Sequence, residues 1–231
     1  MLQVRVGRAK RPRTSIFRFG KFIVVALGLA SFSLILLQKY SDIFSGPGHK
    51  RAMLEIMKNE MTVNPCPDII CSDDFFSFYV QSGAVNVVPP KICFKNQLIL
   101  GDAKKNVDVG INVVILNGKT GEVKETGHFN IYRQDVKPLR KLLKRIEIGS
   151  IVLITSYDKP ASKLNEEARM LILDLGSSSV NSLAFRDNWI FVGGKGANVI
   201  TLFEKHERQK NKYGAWPELI NLSGCIPRYM A

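Results

Sequence analysis

INVVILNGKTGEV, residues 111–123, followed by Val136–Ile146 and by IVLITSY, residues 151–157, decides the fold class. Ile111–Leu116 is a β-branched, apolar run of strand type. Asn117-Gly118, continued by Lys119-Thr120-Gly121, is a hairpin turn, because Asn and Gly accept positive φ and let the chain reverse into Glu122–Tyr132. Val136, Leu139, Leu142, Leu143 and Ile146 fall on one face of a helix, with Asp135 placed to cap it. Ile151–Tyr157 is continuously apolar, as a buried strand is. Hairpin, amphipathic helix and buried strand in succession make a mixed α/β fold and exclude a helical bundle.

Working outward, Phe75–Val80 and Ile92–Leu100 are two further strands, rich in aromatic and β-branched residues. Asn165–Leu175 is a second helix burying Leu164, Ala168, Leu171, Ile172 and Leu175, with Gly176 able to take a left-handed C-terminal cap. Leu183–Phe185 and Trp189–Val192 are short strands, and the polar tail from Phe203 to Pro227 is pinned to the body by Trp216 and Cys225. The expected architecture is a two-sheet β sandwich flanked by helices.

Seven Lys and Arg residues and no Asp or Glu occupy residues 1–21, ahead of the largely apolar run Phe22–Leu37. That order keeps the basic flank in the cytosol and sends the rest into the lumen. The net charge of +13 therefore does not imply nucleic acid, since seven of the charges serve topology. The run is longer than a usual signal-peptide core and shorter than a usual spanning helix, and Gln38-Lys39-Tyr40-Ser41 makes a poor cleavage site. A cleaved signal peptide and a retained signal-anchor both stay open, and any membrane contact is through residues 22–37 alone, if uncleaved. Residues 38–64, with Ser45-Gly46-Pro47-Gly48, are a tether, and 65–228 are the folded domain. Lys137, Arg140, Lys141, Lys144 and Arg145 form the solvated face of the first helix, with an acidic glycan or anionic lipid as the alternative occupant.

Cys66, Cys71, Cys93 and Cys225, an even count in a lumenal chain, imply two disulfides. Of three connectivities, one including Cys66–Cys71 closes a tiny loop across Pro67; Cys66–Cys93 and Cys71–Cys225 instead sew the N-terminal segment to the body. With no Cys-x-x-Cys and with His49, His128 and His206 scattered, no metal site is expected, and no cofactor. No serine stands in a nucleophile elbow and no Ser-His-Asp arrangement is visible, so the chain is read as non-catalytic. Gly193-Gly194-Lys195-Gly196 lacks phosphate-loop spacing and reads as a tight bend where backbones pass closely. Asn221-Leu222-Ser223 is a glycosylation sequon, close to Cys225.

Ser82-Gly83-Ala84-Val85-Asn86-Val87-Val88, Pro90-Lys91-Ile92-Cys93, Asn117–Val123, Lys163–Arg169, Phe185-Arg186-Asp187-Asn188-Trp189, Trp216-Pro217-Glu218 and Gly224-Cys225-Ile226-Pro227 resemble, in order, the secreted family that contains the interleukin-like EMT inducer and pancreatic-derived factor. The resemblance spans nearly all of residues 66–227 and implies two facing sheets with flanking helices, unlike four-helix cytokines, and the same two disulfides, Cys66–Cys93 and Cys71–Cys225. It implies a secreted signalling factor. A similar domain in the stem of a Golgi enzyme that extends O-mannosyl glycans binds sugar without catalysis. In that domain the ligand contacts resemble an Arg, an Asp and the Arg of Phe-Arg-Asp; here Asp158 and Arg186 remain, and the first has become Val109. Val192 stands where one member has an unpaired cysteine, so no disulfide-linked dimer is expected.

The reading is a secreted, cytokine-like protein that travels through the ER and Golgi and binds a cell-surface receptor or glycan. Its candidate surface is the rim around Asp158, Arg186, Gly193 and Gly194, with a structural Asp158–Arg186 ion pair as the plainer reading of the first two. A Golgi-retained, single-pass type II carbohydrate-binding module assisting glycosylation is the alternative.

Overall fold

A computed structural model of the chain describes residues 27–39, 64–196, 201–208 and 216–229. The first of these segments is helical and exposed, and the rest belong to a second unit, Asn64–Ala231, described here by itself. No helix among the described residues is long and apolar enough to cross a membrane. The basic leader, residues 22–26 of the apolar run, and residues 40–63 of the tether lie outside the described residues.

Among the described residues, nine strands form two antiparallel sheets. One holds β1 (Phe75–Gln81), β2 (Lys91–Phe94), β3 (Gln97–Leu100) and β9 (Asn221–Pro227) in the order β3-β2-β1-β9. The other holds β4 (Gly110–Asn117), β5 (Val123–Phe129), β6 (Ser150–Tyr157), β7 (Asn188–Gly194) and β8 (Glu204–Glu207) in the order β5-β4-β6-β7-β8. Helices α1 (Lys137–Lys144) and α2 (Glu166–Leu173) cover one face of the larger sheet. The protein is thus a mixed α/β sandwich with two disulfides and no four-helix bundle.

Side chains alternate across a strand, so β4, β6 and β7 each supply two cores. Ile111, Val113, Ile115, Val152, Ile154, Trp189 and Phe191 meet Leu139, Leu142, Leu143, Ala168 and Ile172 of the helices. Val114, Leu116, Ile151, Leu153, Ile190 and Val192 face the other way and meet Phe76, Phe78, Val80, Ile92, Phe94 and Leu100 of the smaller sheet. Every residue of β6 is buried, which explains its unbroken apolar run in an antiparallel sheet. Each large side chain fully buried this way contributes roughly 1.5–3 kcal/mol of transfer free energy. On the helical side, Asp135 Oδ1 accepts the Lys137 N–H one residue ahead of the cap position, and Asn165 caps α2 by accepting the Ala168 N–H.

Three expectations fail locally. Ile92–Leu100 is two strands, not one, because Lys95 (φ 49°) and Asn96 (φ 58°) take the paired left-handed conformation of a tight hairpin without a glycine. Asn96 stabilises that turn by accepting from the Ile69 N–H and Ser77 Oγ and donating to Asp68. Leu183–Phe185 is no strand: it leads into a turn closed from Asp187 N–H to Ala184 O. The tail contains β8 and β9, whose alternation is hidden by exposed edge positions.

The disulfides Cys66–Cys93 and Cys71–Cys225 fasten the segment before β1 to β2 and β9, the two strands that flank β1. Replacing Cys71 and Cys225 together by serine is expected to lower unfolding free energy by roughly 2–5 kcal/mol, read as a shifted urea midpoint, with amide exchange rising in β9 and β1 before it rises in β4 and β6. Exchange that rises equally across both sheets contradicts this.

Candidate recognition site at one end of the five-stranded sheet

β6 ends at Tyr157 and β7 begins at Asn188, and the pairing Thr155↔Ile190 sets the residues that leave one strand beside those that lead into the other. Asp158 and Arg186 therefore share one end of the sheet. Both take left-handed backbone, φ 60° and 67°, which costs a non-glycine residue about 1–3 kcal/mol and persists only where the surroundings enforce it. Asp158 is buried; its Oδ2 lies 3.2 Å from Lys159 Nζ, and its Oδ1 is buried without a hydrogen-bond partner in the protein. Lys159 in turn lies 4.3 Å from the Tyr132 ring centroid.

Arg186 does not ion-pair with Asp158. Its guanidinium packs 3.9 Å from the Trp216 ring centroid and 5.0 Å from that of Phe185, while its Nε is buried and unpartnered. A buried acceptor and a buried donor, each without a partner, cost free energy. Phe185, on Arg186, and Tyr132, on Lys159, stand exposed beside them.

The surrounding bonds show why the sequence holds this end rigid. Asp187, buried beside Arg186, accepts the Ala184 N–H at 2.8 Å, His206 Nε2 at 2.7 Å and Arg208 Nε at 3.3 Å on one oxygen. Asn188 donates to Glu218 O at 2.6 Å, which draws in the segment carrying Trp216. From the smaller sheet, Ser82 and Ile220 exchange two hydrogen bonds, and the Gly83 N–H donates to Ser156 O at 2.9 Å. A Cβ on Gly83 would lie 2.2 Å from the Tyr157 ring, so that crossing needs glycine. Burial, then the carboxylates of Asp158, Asp102 and Asp108, push the Tyr157 hydroxyl pKa up. Asp108 Oδ1 is turned onto the Val109 N–H, and no cation stands at Val109.

Gly193 and Gly194 belong elsewhere. They are buried inside β7, opposite Val152 and Ile151, and Gly193 lies roughly 16 Å along the strand from Asn188. A Cβ on Gly193 would meet Leu175 O at 2.5 Å, so the glycine serves close backbone packing, and the tight turn itself falls at Lys195-Gly196. The rim read from sequence is thus two opposite ends of one sheet. Asn221 is exposed at the start of β9, next to the Ser82–Ile220 contact and so on the Asp158 side.

Sequence reasoning missed two groups. Glu204 accepts from Ser177 Oγ, from the N–H groups of Ser178 and Ser179 and from Trp189 Nε1, tying β8 to the loop after α2. Ser182, His206 and Asp187 also meet: His206 Nδ1 is 3.3 Å from Ser182 Oγ. Only 24 residues of separation and no elbow motif signalled it. The Ser182 hydroxyl donates instead to Ser179 O at 2.8 Å. A hollow of about 430 Å³ between β5 and α1, lined by Gly127, Phe129, Lys141 and Arg145, holds none of the unpartnered buried atoms.

The sequence model described as interleukin-like EMT inducer matches residues 109–197, from Val109 at the site through β7. Protein FAM3C of Danio rerio is 51% identical over 160 residues, covering 68% of this chain and 70% of that protein, and protein FAM3C of Homo sapiens is 49% identical over 161 residues, covering 68% and 71%. The chain belongs to the interleukin-like EMT inducer family. Protein FAM3C of Xenopus laevis is 40% identical over 220 residues, 90% of this chain and 95% of its own length. The family is cytokine-like, and membership together with two disulfides supports a secreted signalling protein.

The Glu204 carboxyl titrates with a defined sign. Burial alone raises its pKa, but hydrogen bonds from Ser177, Ser178 and Trp189 outweigh it and hold the pKa below the ordinary 4.5. A depressed folded-state pKa gives stability that is present above the unfolded value and lost as pH falls through the folded one. Glu204→Gln is expected to be less stable than the parent at neutral pH, with the gap in melting temperature narrowing below about pH 4.5. A gap that is constant with pH contradicts the assignment.

Proposed function

We propose that this chain is a secreted, non-catalytic, cytokine-like protein that signals by binding a cell-surface receptor or glycan with the Asp158–Arg186 end of its five-stranded sheet. The observation that carries this reading is the pair of buried, unpartnered polar atoms, Asp158 Oδ1 and Arg186 Nε, on two left-handed residues of the same sheet end. Paired strain and unpaired polarity are a poor arrangement for stability and a good one for gripping a ligand. The exposed faces of Phe185 and Tyr132, and Trp216 beneath Arg186, add flat apolar area of the kind that stacks on sugar rings or partner side chains.

In this reading residues 1–37 direct the chain to the secretory route, 38–64 are a tether and 65–228 are the signalling domain. Neither metal nor cofactor takes part. Val192 offers no thiol, and all four cysteines are used within the chain, so a covalent dimer is not part of the proposal. An N-linked glycan on Asn221 would flank the recognition end from the start of β9.

Asp158→Asn and Arg186→Gln keep size and remove charge. Each is expected to weaken binding of the protein to receptor-bearing cells, or to its glycan on an array, by about tenfold or more, the value of one or two charge-assisted hydrogen bonds, while the melting temperature stays close to the parent's. Binding unchanged in both variants sinks the proposal. A matching loss on replacing Ile148, exposed at the other end of the sheet, would sink it equally.

A further inference from the structure

Helix α1 carries a row of cations that the recognition end does not use. Lys137, Arg140, Lys141 and Lys144, with the cap residue Arg145, recur at three- and four-residue spacing. They share the side of the helix away from Leu139, Leu142 and Leu143, which are buried against the larger sheet. Three carboxylates answer these five cations. Glu167 on α2 pairs with both Arg140 and Lys144, Glu125 on β5 pairs with Arg145, and Asp135 stands 3.9 Å from Lys137. Lys141 is exposed and has no ion-pair partner among the described residues. The row keeps an excess of two positive charges along roughly 12 Å of helix. Neighbouring cations stand about one helical turn apart, within the roughly 8 Å Debye length at physiological salt, so they act together.

That row borders a trough. The hollow of about 430 Å³ between β5 and α1 has Lys141 and Arg145 on its helix side and Glu125, His128 and Phe129 on its strand side. Its size falls in the range of spaces that hold a small ligand or one part of a long one, about 300–1,000 Å³. β5 ends the five-stranded sheet, so among the described residues no strand lies beyond it. A Cβ on Gly127 would lie 2.8 Å from the Phe129 ring, so glycine gives that ring its room along the wall. His128 and Phe129 pair with Asn112 and Ile111, which in turn lie opposite Thr155 and Ser156. The trough thus runs from Arg145 towards the sheet end that carries Asp158.

We propose that the trough and the α1 row bind a linear sulfated polysaccharide, the polyanion a secreted protein meets at cell surfaces, and so hold the domain beside its receptor. Lys141 and Arg145 take sulfate oxygens from the trough side, and Lys137 and Lys144 continue the row along the polymer. Sulfate is the anion of a strong acid, stays charged at every physiological pH and accepts from ammonium and guanidinium donors. Lysine dominates the row, which suits charge matching along a flexible polymer more than bidentate capture of one group. An anionic bilayer satisfies the charge but not the shape. A helix that lies on lipid turns large apolar side chains to it. By contrast, α1 spends Leu139, Leu142 and Leu143 on the core, and no large apolar side chain is exposed from residue 133 to 147. The trough shares no residue with the Asp158–Arg186 end, and the two assignments have only the secreted location in common.

The test measures the disulfide-intact chain on immobilised heparin, standing for the sulfated class, at about 0.15 M salt, where distant charges are screened. Lys141→Gln with Lys144→Gln is expected to lower affinity about tenfold, the value of two exposed charge contacts. Lys119→Gln with Lys205→Gln removes the same charge from exposed positions off this face and is expected to change it less than about twofold. Glu125→Gln frees Arg145 from its carboxylate and is expected to raise affinity about threefold. Opposite signs from substitutions on one face do not come from a loosened fold, and melting temperatures close to the parent's check this directly. Heparin stripped of its sulfates but keeping its carboxylates is expected not to compete. Equal losses in the two lysine pairs, weaker binding in Glu125→Gln or competition by the stripped polymer each overturn the proposal. So does binding to vesicles of phosphatidylcholine and phosphatidylserine with none to heparin. Asp158→Asn is expected to leave heparin affinity as it stands, so this site and the recognition end fail separately.

Discussion

Burial of β6 on both faces is the constraint from which the rest of the structure follows. Val152 and Ile154 point to the helices, Ile151 and Leu153 to the smaller sheet, and neither set can be exposed without opening a core. The strand is therefore fixed in place and in register, and so is the point where it stops. Asp158, one residue beyond Tyr157, inherits that rigidity. A strained carboxylate with an unpartnered oxygen survives there because moving it would mean moving the centre of the protein.

The polar groups of the molecule divide into those that are answered and those that are not. Glu204 collects hydrogen bonds from three serines and a tryptophan, and Asp187 holds a backbone N–H, a histidine and an arginine. These carboxylates are structural. They tie β8 and the loop after α2 to β7, and they steady the turn before Asn188. Asp158 and Arg186 sit among them with buried atoms unspent. That contrast, within one small region, supports the proposed recognition role for Asp158 and Arg186, with Asp187 and Glu204 as their support. The exposed aromatic residues nearby suit the same division, since Phe185 packs on the guanidinium of Arg186 while remaining open to solvent.

Much of the fold was legible because its signals were local. The 117–121 turn, the helix face of Leu139, Leu142 and Leu143 and the apolar run of Ile151–Tyr157 each depend on a few neighbours, and each forms in place. In the turn, however, the positive φ falls on Gly121 and not on Asn117 or Gly118, and the contribution there is the Asn117 side chain accepting the Lys119 and Thr120 N–H groups. The β2–β3 hairpin was not legible, because Lys95 and Asn96 make a left-handed turn that distant groups stabilise: Ile69, Ser77 and Asp68 all bond to Asn96. β8 was hidden for a related reason. Glu204 and His206 look like solvent-facing charges in sequence and turn inward only because Ser177, Trp189 and Asp187 await them. Gly193 and Gly194 misled in the opposite direction, since a run of glycines marks close backbone approach without saying which end of a strand it serves. Asp158 and Arg186 were legible as residue types, yet their separation as an ion pair was not, because the partner that answers Asp158 is its own neighbour Lys159.

The claim at the centre of this account is that the sheet end bearing Asp158 and Arg186, and not the end bearing Gly196 and Ile148, faces the binding partner. The most direct measurement places a photo-activated benzophenone side chain at Phe185 in one preparation and at Ile148 in another, both positions being exposed, and irradiates each on responsive cells. A cross-linked cell-surface product is expected from position 185 and none from position 148. A product from position 148 alone would contradict it.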